Sequence, residues 1–544
     1  MRKARALWVA ALLLAGCSNG PSHSGAASHR RGPPHRISGA VRFDLASDPA
    51  NLNPLFLHQD AASVEQQVAR LSFEPFIDFD PAGREIPELV SRVPTESNGD
   101  LSRDGRTIIY RLRPQVRWSD GVAVTSADVI FTLRAILDPR NPVPSHEGYD
   151  LIDRAEARGP HVVVFHLKHA WAPAVDTLFS YGFRPQFVLP AHVLRNQVPL
   201  AQAAFNAAPS VGDGPYRFVS WRRGESLLYV ANPRYWRGSP KTKRLDIRII
   251  PDVATNLVLL QSRELDWNLI APVQQDTLQS HTDIAYRYVS TGVVAGLTLN
   301  LSHAPLNDVR VRRAIAMAID RLGISRKITL GRYPITDAIQ PRFSWAFDPS
   351  VKEPQYDPAG ADRLLDEAGW RRGADGMRRR AGAALTLVYV QFRETATGMR
   401  VATMAQAELR QRGIDVAIKT VSNQQLFFPV TGELASGNFD LAYVPFTMGS
   451  DPDDSSILGC SAPSNYMRYC NPQVDKLETT ALASPSRSAR KILYGRIERI
   501  VAGDVPIVYL FNANYIYAYR KDLRGFYPNA FLPTWNAAGW HLGP

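Results

Sequence analysis

"TIIYRLRPQVRWSDGVAVTSADVIFTLRAILDP", residues 107–139, carries both signals that decide the fold class. It opens on a β-branched and aromatic run of strand length, residues 107–114. It closes on a helix pattern in which Thr125 can cap, Asp128 follows three residues later, and Asp138-Pro139 ends the run. The same two signals recur outward along the chain. "HVVVFHLK" (161–168) reads as a second strand. "VRVRRAIAMAIDRLG" (309–323) sets Val311, Ile315, Ala318 and Leu322 at helical spacing, with Gly323 as the expected stop. "YDPAGADRLLDEAGW" (356–370) offers Asp357 as cap, Pro358 in the first turn and Gly369 after the last. The expected class is mixed α/β. Alternation along 161–168 places His161 and His166 on opposite faces, so they cannot jointly hold one metal ion.

The amino terminus bears on location. "MRKAR" is a positive leader, and "ALWVAALLLAG" is an apolar run too short to form a stable membrane span. It runs into Cys17 through "LLAGC", which resembles a bacterial lipobox, so residues 1–17 are expected to be a lipoprotein signal with lipid attached at Cys17. The alternative is an ordinary cleaved secretory signal with an incidental Cys. Residues 18–36 lack any large apolar side chain and read as a flexible tether. His23, His29 and His35 belong to its composition. The expected location is extracytoplasmic, periplasm or cell envelope, with the protein lipid-anchored to the membrane.

Charge excludes one class of partner. Of the net +12, six positive charges lie before residue 37 with no acid among them, which leaves about +6 over some five hundred residues. That density is too dilute for nucleic-acid binding. Besides Cys17, only Cys460 and Cys470 remain, and two close thiols in an oxidising compartment are expected to form a disulfide. No nucleophile elbow, phosphate-binding loop, zinc-protease helix motif or dinucleotide fingerprint occurs, which lowers the odds of an enzyme. No cofactor and no metal are expected.

A second segment makes a family visible. "VGDGPYRFVSWRRGESLLYVANPRYWRGSPKTKRLDIRIIPD" (211–252) resembles the "G-x-GPY … W … NP-x-YW-x-G-x-P … IPD" block of family 5 extracellular solute-binding proteins, the dipeptide-, oligopeptide- and nickel-binding subunits of ABC importers. The opening stretch is similar to that family's "LR-x-GV-x-W-x-DG … T-x-x-DV-x-F" segment. "PLNDVRVRRAIAMAIDR" and "YDPAGADRLLDEAGW" resemble two of its helices, and "QAELRQRGIDVAIKTVS", "GNFDLAYV" and "VPIVYLFNANYIYAYRKDLRGF" follow in family order. The resemblance implies a two-lobed periplasmic-binding-protein clamp (type II-like, cluster C) with an extra inserted domain, closing on its ligand by hinge motion. It implies lobe I at 37–71, 211–298 and 505–544, domain II at 72–210, and lobe III at 299–504. It further implies a monomer that hands a peptide or other small solute to ABC permease and ATPase subunits.

The candidate site lies in "TMGSDPDDSS" (447–456). In the family's peptide receptors the matching segment carries an aromatic and an Asp that pairs with the peptide's amino group. Aligned on the shared Asp-Pro-Asp, those anchors fall on Pro445 and Met448; a one-residue slip makes Phe446 the aromatic, and Asp451 is the acid expected to reach the ligand instead. The Arg that meets a peptide carboxylate falls on Phe392, with Arg393 one position on. The resemblance therefore proposes Arg393, Phe446, Thr447, Met448 and Asp451 as ligand contacts. A calcium loop is excluded, because Ser456 and Ala462 stand where it needs Gly and an acid. A polar turn stays open for Asp453 and Asp454. Three readings follow: a peptide receptor, a receptor for a non-peptide solute (a sugar, metallophore or opine-like compound), and an exported enzyme or chaperone-like protein.

Overall fold

A computed structural model of the 544-residue chain describes residues 39–57, 63–182, 184–197 and 199–543. The expectations for the signal segment, Cys17 and the tether lie outside the described residues. The opening stretch folds as its residues dictate. Strand Thr107–Arg111 pairs antiparallel with Val162–Leu167, which also pairs with Ile152–Ala157. Helix Ser126–Leu137 starts at a reciprocal box in which the Thr125 amide donates to the Asp128 carboxylate at 2.8 Å.

Residues 309–323 depart from the expectation of one helix ending at Gly323. The first helix ends at Ala318, and a second, Arg321–Thr329, follows at once. Asp320 caps it by accepting the Gly323 amide at 2.8 Å, so Gly323 lies in the first turn of a helix. Asp357 caps Pro358–Glu367 by accepting the Gly360 amide, and Gly369 follows in the left-handed region.

Three bodies are distinguished by their cores. The first surrounds a four-stranded sheet ordered Ala40–Leu45, Arg244–Ile249, Ser226–Ala231, Tyr216–Arg222, with Phe43, Trp267, Phe526 and Trp540 packed ring against ring. The second packs the three-stranded sheet and helix Ser126–Leu137 around Phe76, Tyr110, Trp118, Phe165 and Phe179. The third holds a six-stranded sheet ordered Trp267–Ile270, Ile507–Arg520, Ile284–Leu299, Leu441–Thr447, Thr386–Phe392, Asp415–Val421, with apolar cores on both faces. Its two longest strands belong to two bodies at once. Val289, Tyr515 and Tyr517 pack in the first core, whereas Leu297, Val508 and Leu510 pack in the third.

The segment 211–252 joins the first two bodies. A Cβ at Gly212 would lie 2.1 Å from the Ser72 carbonyl oxygen, so only glycine permits that approach. Tyr235 then donates to Glu74 at 2.8 Å, and Arg237 reaches Glu88 at 3.0 Å. Both acids face Arg70, which is 1% exposed and also donates to Asp78 at 2.8 Å. Trp236 lies between the guanidinium groups of Arg113 and Arg237. Burial raises the Glu74 carboxyl, but Arg70 beside it and bonds from neighbouring groups outweigh that and hold it below its ordinary value. The residues that make the family resemblance visible thus act in cohesion, at a buried ionic joint.

Candidate functional site

A narrow recess lies where the three bodies meet, its cavity volume about 10 Å³, the room of roughly one water molecule in this closed arrangement. Tyr181 and Gly182 come from the second body, with Gln66 beside them. The Tyr181 hydroxyl donates to the Gln66 side-chain oxygen at 2.8 Å. Thr447 and Met448 face them from the end of strand Leu441–Thr447. That strand runs parallel to Thr386–Phe392 and Asp415–Val421, so three carboxyl ends point the same way. This is where open α/β sheets place ligands.

The floor is a bulge in the long strand Ile284–Leu299. Pairing with Ile507–Arg520 shifts between Ser290 and Val294, and residues 291–293 bow out into the recess. Asn512 holds the bow: its amide donates to the Thr291 carbonyl at 2.8 Å and the Val293 carbonyl at 2.9 Å. A Cβ at Gly292 would fall 2.1 Å from the Met448 carbonyl oxygen, so glycine is required where the bulge meets the acidic stretch. Tyr515 and Phe531 complete the wall. Gln66, Tyr181, Thr291, Gly292, Asn512 and Tyr515 were not legible as site residues in the sequence. One signal was available: a glycine inside the β-pattern "YVSTGVVAG" marks a bulge or a close backbone approach.

Of the residues expected in the site, Thr447 and Met448 line the recess, and the Met448 amide donates to the Gly292 carbonyl at 2.9 Å. Phe446 points the other way, into the third body's core with Ala442 and Val444. Arg393 is exposed at the end of strand Thr386–Phe392, away from the recess. Asp451 is engaged within the protein: Arg490 donates to its two carboxylate oxygens at 2.6 and 2.7 Å, and the guanidinium also lies over the Trp345 ring. Cys460 and Cys470 are joined by a disulfide.

The rest of the acidic stretch divides. Asp453 makes a local turn bond, accepting the Ser455 amide at 3.0 Å, and burial pushes its carboxyl up to about 6. Asp454 is fully buried, accepts from Gln340 at 3.2 Å and faces Glu478. Glu478 and Glu498 lie buried beside it, and burial followed by the Asp454 charge pushes both well above the ordinary carboxylate range. Two facing carboxylates have no donor between them until one is protonated, so this cluster retains protons. Among the described residues no group of His, Cys, Asp and Glu could hold a metal ion, and no helix is long and apolar enough to cross a membrane.

A cleft between lobes, bridged by two shared strands, defines a two-lobed α/β clamp. The family profile of bacterial extracellular solute-binding proteins, family 5 (middle), matches residues 87–467, and the chain belongs to that family. It is similar to the oligopeptide-binding protein AppA of Bacillus subtilis, 24% identical over 551 residues, covering 98% of this chain and 97% of AppA. The structure of AppA in complex with a nonapeptide superposes with a TM-score of 0.71 at 21% identity, covering 93% of this chain and 99% of that one. NikZ from Campylobacter jejuni in complex with Ni(L-His) superposes with a TM-score of 0.74 at 23% identity, covering 93% of this chain and all of the other.

Proposed function

We propose that the protein is the lipid-anchored, extracytoplasmic substrate-binding receptor of a peptide-type ABC importer, capturing its cargo between the lobes and presenting it to a permease driven by ATPase subunits. It works as a monomer and performs no catalytic turnover. The observation that carries the reading is the recess itself, walled by residues of separate bodies at the carboxyl ends of parallel strands. The likeness to AppA along almost the whole chain supports peptide cargo. In this reading lobe I comprises 37–71, 211–298 and 505–544, domain II 72–210 and lobe III 299–504, and Cys17 bears the lipid.

A second reading keeps the receptor and changes the cargo to a non-peptide solute. It is favoured by the Asp451–Arg490 pair, which occupies the acid put forward from the sequence to meet a peptide's amino group. Native mass spectrometry of the mature, unlipidated protein purified from its host separates the two. A ladder of masses that dissociates as short peptides supports peptide capture. One non-peptide mass moves the cargo to the second reading.

A further inference from the structure

The recess is walled without formal charge. Among the described residues that line it, none is acidic or basic. The nearby charges are engaged elsewhere: Asp451 with Arg490, and Arg487 with Glu85 across the cleft at 2.7 Å. Asp176 adjoins the recess, its backbone oxygen 2.5 Å from where a Cβ of Gly182 would stand. Burial, then the charges of Glu85 and Asp451, push its carboxyl well above the ordinary range, against the opposing pull of Arg487 and Arg490.

Two lining groups are unspent. The Thr447 hydroxyl and the Tyr515 hydroxyl are both shielded from solvent, and neither has a hydrogen-bond partner among the described residues. Other buried hydroxyls, such as those of Tyr389, Tyr509 and Thr298, are also unpaired among the described residues, but these two share one recess and are free to meet a ligand that enters it. Burial holds the Tyr515 phenol protonated, which makes it a donor, while the Thr447 hydroxyl can donate or accept.

We propose that Thr447 and Tyr515 form a charge-free recognition point for an amide, so that the cleft selects ligands blocked at the amino end, N-acylated or cyclic, over peptides with a free ammonium group. The inference rests on the receptor reading and adds the chemical class of its cargo. A free ammonium here would lose its hydration without meeting a counter-charge, whereas an amide accepts from Tyr515 and exchanges a hydrogen bond with Thr447.

The test offers the mature protein a pool of synthetic tetrapeptides and the same pool N-acetylated, in competition, and reads retained masses by native mass spectrometry. The expected result is a preference for the acetylated pool of about tenfold or more, with Thr447→Val and Tyr515→Phe each lowering acetylated-peptide affinity by about tenfold. Asp451→Asn leaves that preference in place. Retention of the free-amine pool, abolished by Asp451→Asn, overturns the amide proposal and leaves the receptor standing. If neither pool is retained and no solute accompanies the folded protein from its host, both fail together. Circular dichroism of each variant confirms that a lost ligand is not a lost fold.

Discussion

Around Arg70 and around Asp454 the protein buries carboxyl groups in two different ways. Glu74, Asp78 and Glu88 converge on the Arg70 guanidinium, with Arg237 and Tyr235 closing the network from the 211–252 segment. Asp454, Glu478 and Glu498 have no Arg or Lys bonded to them among the described residues, and the neighbouring cation Arg490 is committed to Asp451. The first cluster is balanced by guanidinium groups together with protons, since burial raises Asp78 and Glu88 while Glu74 is held low; the second is balanced by protons alone. The first lies at a joint between two bodies that must not part. The second lies directly behind the acidic stretch that enters the cleft, where a fixed cation would compete with Arg490 for Asp451. A neighbouring cation therefore offsets burial only in part: it holds Glu74 low, whereas Asp78 and Glu88 stay raised beside the same guanidinium.

Removing the cation from the first cluster should have the largest effect. Arg70→Met leaves three buried acids without their shared partner and is expected to cost about 3–5 kcal/mol, read as a lower urea midpoint. A loss below about 1 kcal/mol would mean that Arg237 alone balances the joint, and the contrast between the clusters would collapse. Next in size is the pair that borders both the cleft and the acid cluster. Arg490→Gln should cost about 2–3 kcal/mol, because Asp451 then stands unpaired beside Asp453. The double variant Asp451→Asn/Arg490→Gln should recover part of that loss, since the stranded charge goes with its partner. A double-mutant cycle showing additive losses would deny that the two residues are coupled.

How far these features were legible varies with their range along the chain. The helix over 126–137 and the cap at Asp357 were readable because cap, periodicity and stop lie within one short window. The break after Ala318 was hidden because the apolar spacing runs on from Ala318 to Leu322 across it; in the structure Leu322 is 45% exposed and Asp320 starts a new helix. Thr447 and Met448 were reached by alignment with the family's acidic segment. The direction of Phe446 was available from alternation, since 442, 444 and 446 share a face. Gln66, Tyr181, Gly292 and Tyr515 come from distant parts of the chain, and only the tertiary fold brings them to Thr447. The Arg490–Asp451 pair, 39 residues apart, was unreadable for the same reason, and it changes the role available to Asp451.

The smallest expected effect belongs to the second cluster and depends on pH in a stated direction. Asp453, Asp454, Glu478 and Glu498 are all pushed up by burial, so across this region the folded state binds protons more tightly than the unfolded chain. Their contribution to stability is fully present below the unfolded carboxyl range. It is lost as pH rises through the folded values, for Asp453 between 3.8 and about 6. Of the three acids around Arg70, Glu74 alone behaves in the opposite sense: held below its ordinary value, it stabilises at neutral pH and loses that contribution as acid protonates it, whereas burial raises Asp78 and Glu88. Glu478→Gln supplies a permanent donor to Asp454 and removes one titrating group. It should therefore raise stability by about 1 kcal/mol at pH 8, change little at pH 5, and flatten the fall between them. Urea midpoints of the wild type and this variant at the two pH values measure the difference. Equal destabilisation at both would mean that Glu478 contributes packing rather than a retained proton, and that the second cluster is held together by something other than shared protons.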